Sequence, residues 1–292
     1  MIRLSPRSVA TWLRCLASPR VVAGAAIILG LVVIAILAPW LAPHDPQDQD
    51  LLSVLLPPFW MADADPAFPL GTDTLGRCIL SRLIYGTRIA LYVAGLAASG
   101  AMVMGTVLAI VAGYFGGKTD WLISRIVDIW MAFPPVVLAL ILLVGLGAGV
   151  NKVILAIVLI DWTRFCRVIR SEVLVTMTLD YIPAARLLGF SHKQIMLREI
   201  LPAVTPLVIT VLSIEMGIAV IVEAIMSFVG MSVESNVAAW GVMIADARTT
   251  MHQAPWSVVF PIGAIFMTVL AFNLLGDGLR RALDGRLVQR SG

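Results

Sequence analysis

Charge is scarce in this sequence. Asp, Glu, Lys and Arg make up 13% of the 292 residues, while 60% are hydrophobic. A soluble domain carries about 25% charge, and the mean hydropathy of +0.95 excludes that class. Lipid offers the backbone no hydrogen-bond partners, so each crossing segment must satisfy its own groups as a helix. The composition therefore implies an all-α polytopic membrane protein. Cysteine is rare as well: Cys15, Cys78 and Cys166 stand far apart and give neither a disulfide framework nor metal-ligand spacing. His44, His192 and His252 fall in predicted loops, which argues against a histidine metal site inside the bundle. A phosphate-binding loop is missing too. Gly117-Lys118-Thr119 resembles the end of one, but Ala112 stands where its first glycine belongs, and an apolar helix precedes it.

Long apolar runs supply the architecture. Val21 to about Leu41 is uninterrupted and follows four arginines, Arg3, Arg7, Arg14 and Arg20. It is longer than the apolar region of a signal peptide, so it reads as a retained first transmembrane helix. Residues 42–85 form an acidic connection in which Pro43, Pro46, Pro57, Pro58, Pro66 and Pro69 forbid regular ladders. Near its end Leu75, Ile79, Leu83 and Tyr85 predict one face of a surface-lying helix capped by Asp73. Further spans are predicted at Ile89 to Tyr114, Trp121 to Leu146, Val153 to Ile169, Ala203 to Val229 and Trp256 to Leu275, six in all. Gly95, Gly100 and Gly105 suit the second to close helix contact. Phe133-Pro134-Pro135 predicts a kink at the entry to the third, and Gly145, Gly147 and Gly149 a tight turn after it. Arg125 and Asp128 are spaced to pair.

Most of the 21 Lys and Arg residues fall in the N-terminal tail, the second and fourth connections and the C-terminal tail. Arg77, Arg82, Arg88, Lys152 and Arg248 fall on the opposite side. That bias places both termini in the cytoplasm.

The fourth connection, Asp180 to Pro202, organises the chain. Asp180 is placed to cap a short helix with Pro183 in its first turn. Gly189 is placed to end that helix in a left-handed conformation, and Ser191 with Gln194 has the spacing of a capping box. Ala184, Ala185, Leu187 and Leu188 make the first helix more apolar than a solvated loop. Such a patch meets a partner or folds back on its own bundle.

Ala184-Ala185, Gly189, Ile195 and Leu201-Pro202 resemble the cytoplasmic EAA loop of ABC importer permeases, with Pro183 where the motif has Glu. Phe68 to Arg88 resembles the GTD-x-LGRD-x-x-SRLIYG-x-R segment of the dipeptide, oligopeptide and nickel permeases, with Cys78 replacing its second Asp. Val222 to Gly230, Ala239 to Arg248 and Leu270 to Arg286 resemble three further segments of that family. The resemblance, to the second permease subunit of such importers, implies a type I importer fold in a bacterial inner membrane. It implies an N-terminal part, 1–67, and a core permease domain, 68–292. It also implies a sister permease, two ATP-binding cassette subunits carrying ATP and Mg, and an extracytoplasmic solute-binding protein. The chain itself is then not an enzyme and binds no cofactor. By the same resemblance Pro183, Ala184, Ala185, Leu188, Gly189, Phe190, Leu201 and Pro202 couple it to the ATPase. Residues 183–192 dock, and outer segments 42–85 and 231–255 are open to the binding protein.

Three acids lie within predicted spans: Asp161, Glu215 and Glu223. Acids at membrane depth face a bundle interior or a wet cavity. Asp161 has Arg164 as a local partner at i,i+3, and Glu223 suits a packing or hydrogen-bonding role. Glu215 has no basic residue within four positions, so it reads either as a protonated carboxyl bonded to a neighbouring helix or as a group lining a translocation path. Such acids would also serve an ATP-independent secondary transporter or channel, which has no use for a cytoplasmic docking helix. Cargo is not encoded legibly; peptides, nickel complexes, opines, glutathione and some sugars all suit this group.

Overall fold

The computed structural model describes residues 18–232 and 237–283. The N-terminal arginines Arg3, Arg7 and Arg14, Cys15, and the last residues of the C-terminal basic tail lie outside the described residues. The described chain is helical: α1 Pro19–Leu41, α2 Ile79–Phe115, α3 Gly117–Met131, α4 Pro135–Leu146, α5 Val150–Met177, α6 Tyr181–Leu187, α7 His192–Ile195, α8 Leu201–Phe228, α9 Trp240–Ala247 and α10 Trp256–Leu283.

Four helices are long and apolar enough to cross a membrane: Pro19–Leu41, Ile79–Phe115, the continuous helix His192–Phe228, and Trp256–Ala282. The pair α3 and α4 adds a fifth if it is one broken span; it bends by 90°. The bend falls within the span predicted from Trp121 to Leu146, after Met131, and has a local cause. Pro134 precedes Pro135, and a residue before proline is pushed out of the α region; Pro134 has φ −59° and ψ 125°. Helix α5 is 28 residues long, but Asp161, Arg164, Arg167 and Arg170 make it more polar than the four apolar spans.

Helix α2 is the spine and packs on α5, α8 and α1. Its buried face is built from Ala90, Ala94, Ala97, Ala101, Gly105 and Ala109, so neighbouring backbones approach closely. A Cβ on Gly105 would lie 2.5 Å from that of Phe165 on α5. Gly95, expected to share this role, faces open space instead. The surface helix expected before α2 is not separate from it. Residues from Ile79 run straight into the span, giving 37 residues, about 55 Å of helix against about 30 Å of hydrocarbon. Asp73 does not cap it; the N-cap position is Cys78.

Proline placement explains one link between α1 and α2. Pro39 lies inside α1 and has no N–H to offer the Ala35 carbonyl. Arg88 Nε donates to that carbonyl instead, at 2.6 Å.

Candidate functional site: the coupling loop and the buried charge clusters

The loop after α5 forms two short helices joined at a glycine, as its residues predict. Gly189 has φ +81°. Its N–H bonds the Arg186 carbonyl at 3.0 Å, and the Phe190 N–H bonds that of Ala185 at 3.1 Å. This pair of bonds is a Schellman ending, which needs a left-handed residue where Gly189 stands. Ser191 and Gln194 cap α7 reciprocally. Asp180 precedes α6, but its side chain makes no cap bond. It has helical backbone angles, whereas a capping side chain needs an extended residue.

The apolar residues of this loop divide between the bundle and solvent. Ile182, Ala185 and Ile195 pack against Tyr114, Val127, Ile169 and Val173. Full burial of one such isoleucine contributes about 2 kcal/mol. Leu187 is 89% and Leu188 77% exposed, and Phe190, Pro183 and Ala184 are exposed with them. The fold-back reading thus holds for one face, and the other is left open. Leu201 and Pro202 do not mark a break. A π turn, Met196–Ile200, joins α7 to α8, and the Leu201 N–H bonds the Met196 carbonyl five residues back. Pro202 lacks an N–H and crowds the carbonyl four residues before it, so a wider turn suits it.

The three acids of the predicted spans have different surroundings. Asp161 and Glu215 are both buried, and Arg164 lies between them: its Nη1 is 4.0 Å from Asp161 and 3.4 Å from Glu215. The basic partner that local spacing denies Glu215 therefore comes from another helix. Glu223 is 1% exposed and accepts hydrogen bonds from Ser227 at 2.5 Å and Ser232 at 3.3 Å. Further along α5, Arg167 bonds Asp128 at 2.5 Å, and Arg170 bonds Asp120 through both nitrogens of its fork. Asp128 also keeps its local pair with Arg125, at 3.7 Å.

A second charge cluster was not foreseen from the residues. Asp73 accepts from Arg77 Nε at 2.8 Å and from Arg82 Nη1. Arg77 Nη2 also donates to Asp246, on α9, at 2.7 Å. Asp73 further holds the N–H groups of Leu75 and Arg77 at 2.9 and 3.0 Å. The cluster ties segment 42–78 to α9. Trp240 ties α9 to α2 as well, with its indole N–H on the Leu83 carbonyl at 3.1 Å. Beside them a cleft of about 290 Å³ is lined by Asp45, Gln47, Tyr85, Arg88 and Val237 among others. In the same segment, hydrogen bonds from the Ser53 hydroxyl and then the Leu52 N–H hold the Asp50 carboxyl below its usual range. Cys78 is buried at 1% exposure, so it is not a surface thiol.

Comparison with known proteins decides what this arrangement belongs to. The family "Binding-protein-dependent transport system inner membrane component" matches residues 105–289, and "N-terminal TM domain of oligopeptide transport permease C" matches residues 7–58. This chain belongs to the binding-protein-dependent permease family. It is 38% identical over 279 residues to the glutathione transport system permease protein GsiD of Pectobacterium atrosepticum, covering 94% of this chain and 90% of the relative. It is 37% identical over 269 residues to the dipeptide transport system permease protein DppC of Haemophilus influenzae, covering 91% and 90%. The di/tripeptide transport system permease protein DppC of Pseudomonas aeruginosa is 36% identical over 265 residues, covering 90% and 87%. A solved structure, "Crystal structure of an amino acid ABC transporter with histidines", matches with a TM-score of 0.52 at 19% identity, covering 68% of this chain and 94% of that one. That likeness shows the fold. The family makes this permease a subunit of an ABC importer in the bacterial inner membrane, which works with ATPase and binding-protein components. The ATP-independent reading is set aside.

Proposed function

We propose that this permease is the second of two permease subunits and imports short peptides or glutathione. The open face of Leu187, Leu188 and Phe190 on α6 and its glycine ending carries the reading. A rigid apolar knob beside a basic helix end fits a groove on a partner protein better than it fits water. Docking through Pro183, Ala184, Ala185, Leu188, Gly189 and Phe190 passes motion to Leu201, Pro202 and α8, because α7 and α8 are one continuous helix. In this reading the chain has six spans, counting charged α5 and the broken pair, with both termini cytoplasmic. Residues 1–67 form the N-terminal part and 68–292 the core. ATP and Mg sit on two separate ATP-binding subunits, and a sister permease completes the path.

Asp161, Glu215 and Glu223 are the candidates for the path. Two buried carboxylates face one guanidinium at Arg164, an arrangement that favours a peptide with a positive side chain. The relatives named for dipeptides and glutathione support this substrate class. In this reading segments 42–85 and 231–255 are the surfaces offered to the binding protein.

Affinity purification of the tagged chain, followed by an ATPase assay, tests the assembly. Uptake of labelled dialanine and glutathione by cells expressing the whole importer tests the cargo. A chain that purifies without ATPase activity, or an importer that takes up neither probe, refutes the corresponding part.

A further inference from the structure

Tyr114 stands next to last in α2, with its ring 7% exposed. A buried tyrosine needs a partner for its hydroxyl. The partner is His192, the first residue of α7, whose Nδ1 is 2.6 Å from the tyrosine oxygen. The hydroxyl donates to Nδ1 when the imidazole carries its proton on Nε2. The two rings also meet edge to face at 5.6 Å. On the other side of the glycine break, Arg186 of α6 places its guanidinium carbon 5.4 Å from the centre of the Tyr114 ring, within cation–π range.

One side chain thus touches both halves of the coupling loop. Gly189 lies between Arg186 and His192, and a chain is most free to swing at a glycine. Tyr114 bridges that point from outside. We infer that Tyr114 is a positioning residue that fixes α6 and α7 to the end of α2, so that displacement of the loop moves α2 as well as α8. The continuous α7–α8 helix is one route into the bundle, the packing of Ile182, Ala185 and Ile195 on α3 and α5 is another, and the Tyr114 clamp adds a route to the end of α2. The clamp reaches the spine of the fold, since α2 packs on α5, α8 and α1. The inference rests on the reading of this loop as the element that docks on the ATPase.

Hydrogen exchange on the complete importer tests it without knowledge of the cargo. The complex is compared nucleotide-free and trapped with ATP and vanadate. In the unsubstituted complex, ATP is expected to alter exchange at 181–195, at the start of α8, and at residues 105–115 of α2. Tyr114→Phe keeps the ring and its contact with Arg186 but removes the hydroxyl. It is expected to keep the change in α8 and reduce that in α2 by about fivefold, the size of one net hydrogen bond. His192→Asn, which leaves an oxygen close to the position of Nδ1, is expected to retain the α2 change, and His192→Leu to lose it. An α2 response that survives in both Tyr114→Phe and His192→Leu overturns the clamp. An unsubstituted complex with no ATP-dependent change at 181–195 refutes the docking reading itself, and the clamp with it.

Discussion

Arg164 on α5 and Glu215 on α8 meet at 3.4 Å although 51 residues separate them in the chain. The same guanidinium faces Asp161, so one cation serves two buried carboxylates. Removing the cation leaves two acids facing each other away from water, whereas removing one acid leaves a balanced pair. Arg164→Gln is expected to cost about 3 kcal/mol of stability, and Glu215→Gln about 1 kcal/mol. Thermal unfolding of the purified complex in detergent measures both.

Glu215→Gln also separates a structural role from a place on the path. Transport of a lysine-containing dipeptide is expected to slow more than that of dialanine, with ATPase subunits still bound. Equal slowing of both peptides in proteoliposomes would remove Glu215 from the path.

The proposed docking face is tested at two positions that act through different physics. Leu187 is exposed, so Leu187→Asp should change fold stability by no more than about 0.5 kcal/mol. It should nonetheless abolish co-purification of the ATPase. A Cβ on Gly189 meets nothing within 4 Å, so Gly189→Val acts through its φ of +81° alone. A left-handed L-residue costs about 1–2 kcal/mol, and β-branching adds to it. This variant should reach the membrane and lose transport. Full transport by either variant would contradict docking through this face.

Local sequence rules made much of the fold legible. The first span, the Gly189 ending and the Ser191–Gln194 box follow from apolar run length, glycine and capping chemistry within a few residues. Several misreadings share a cause, which is that partners arrive from far along the chain. Arg164, Arg167 and Arg170 recur at helical spacing and read as a basic helix end. In the fold they bond Glu215, Asp128 and Asp120 on two other helices. Asp73 read as a helix cap from its place just before the predicted helix face; in the fold Arg77 and Arg82 hold it, and Asp246, which completes the cluster, is 169 residues from Arg77. The continuous α7–α8 helix was hidden because Leu-Pro reads as a boundary, and a π turn is not visible in residue types.

Sidedness is tested with cysteines engineered into a Cys15→Ser background, because Cys78 and Cys166 are buried and serve poorly as probes. Leu52 is 97% exposed in the segment proposed to lie outside, and Leu187 is 89% exposed in the loop proposed to couple to the ATPase. An impermeant maleimide added to intact spheroplasts should label Leu52→Cys and spare Leu187→Cys. Inverted vesicles should give the opposite pattern. Labelling of Leu187→Cys from outside would overturn the orientation.

The cluster of Asp73, Arg77, Arg82 and Asp246 yields a prediction with an internal order. Arg77 and Arg82 are 3% and 1% exposed, so each depends on its carboxylates for compensation. Asp73 serves both arginines and two backbone N–H groups. Asp246 is 28% exposed at its side chain and makes its short contact with Arg77 alone. Water can replace part of what Asp246 gives, but it cannot reach Asp73. Asp73→Asn is therefore expected to cost about 3–5 kcal/mol, the range for stranding a buried charge. Asp246→Asn is expected to cost about 1–2 kcal/mol, near the loss of one charge-assisted hydrogen bond. Because Asp246 anchors α9 to segment 42–78, its loss should also raise protease cleavage between residues 231 and 255 in spheroplasts. Thermal unfolding of the two variants side by side gives the order, and equal shifts would show that Asp246 is as fully committed to the cluster as Asp73.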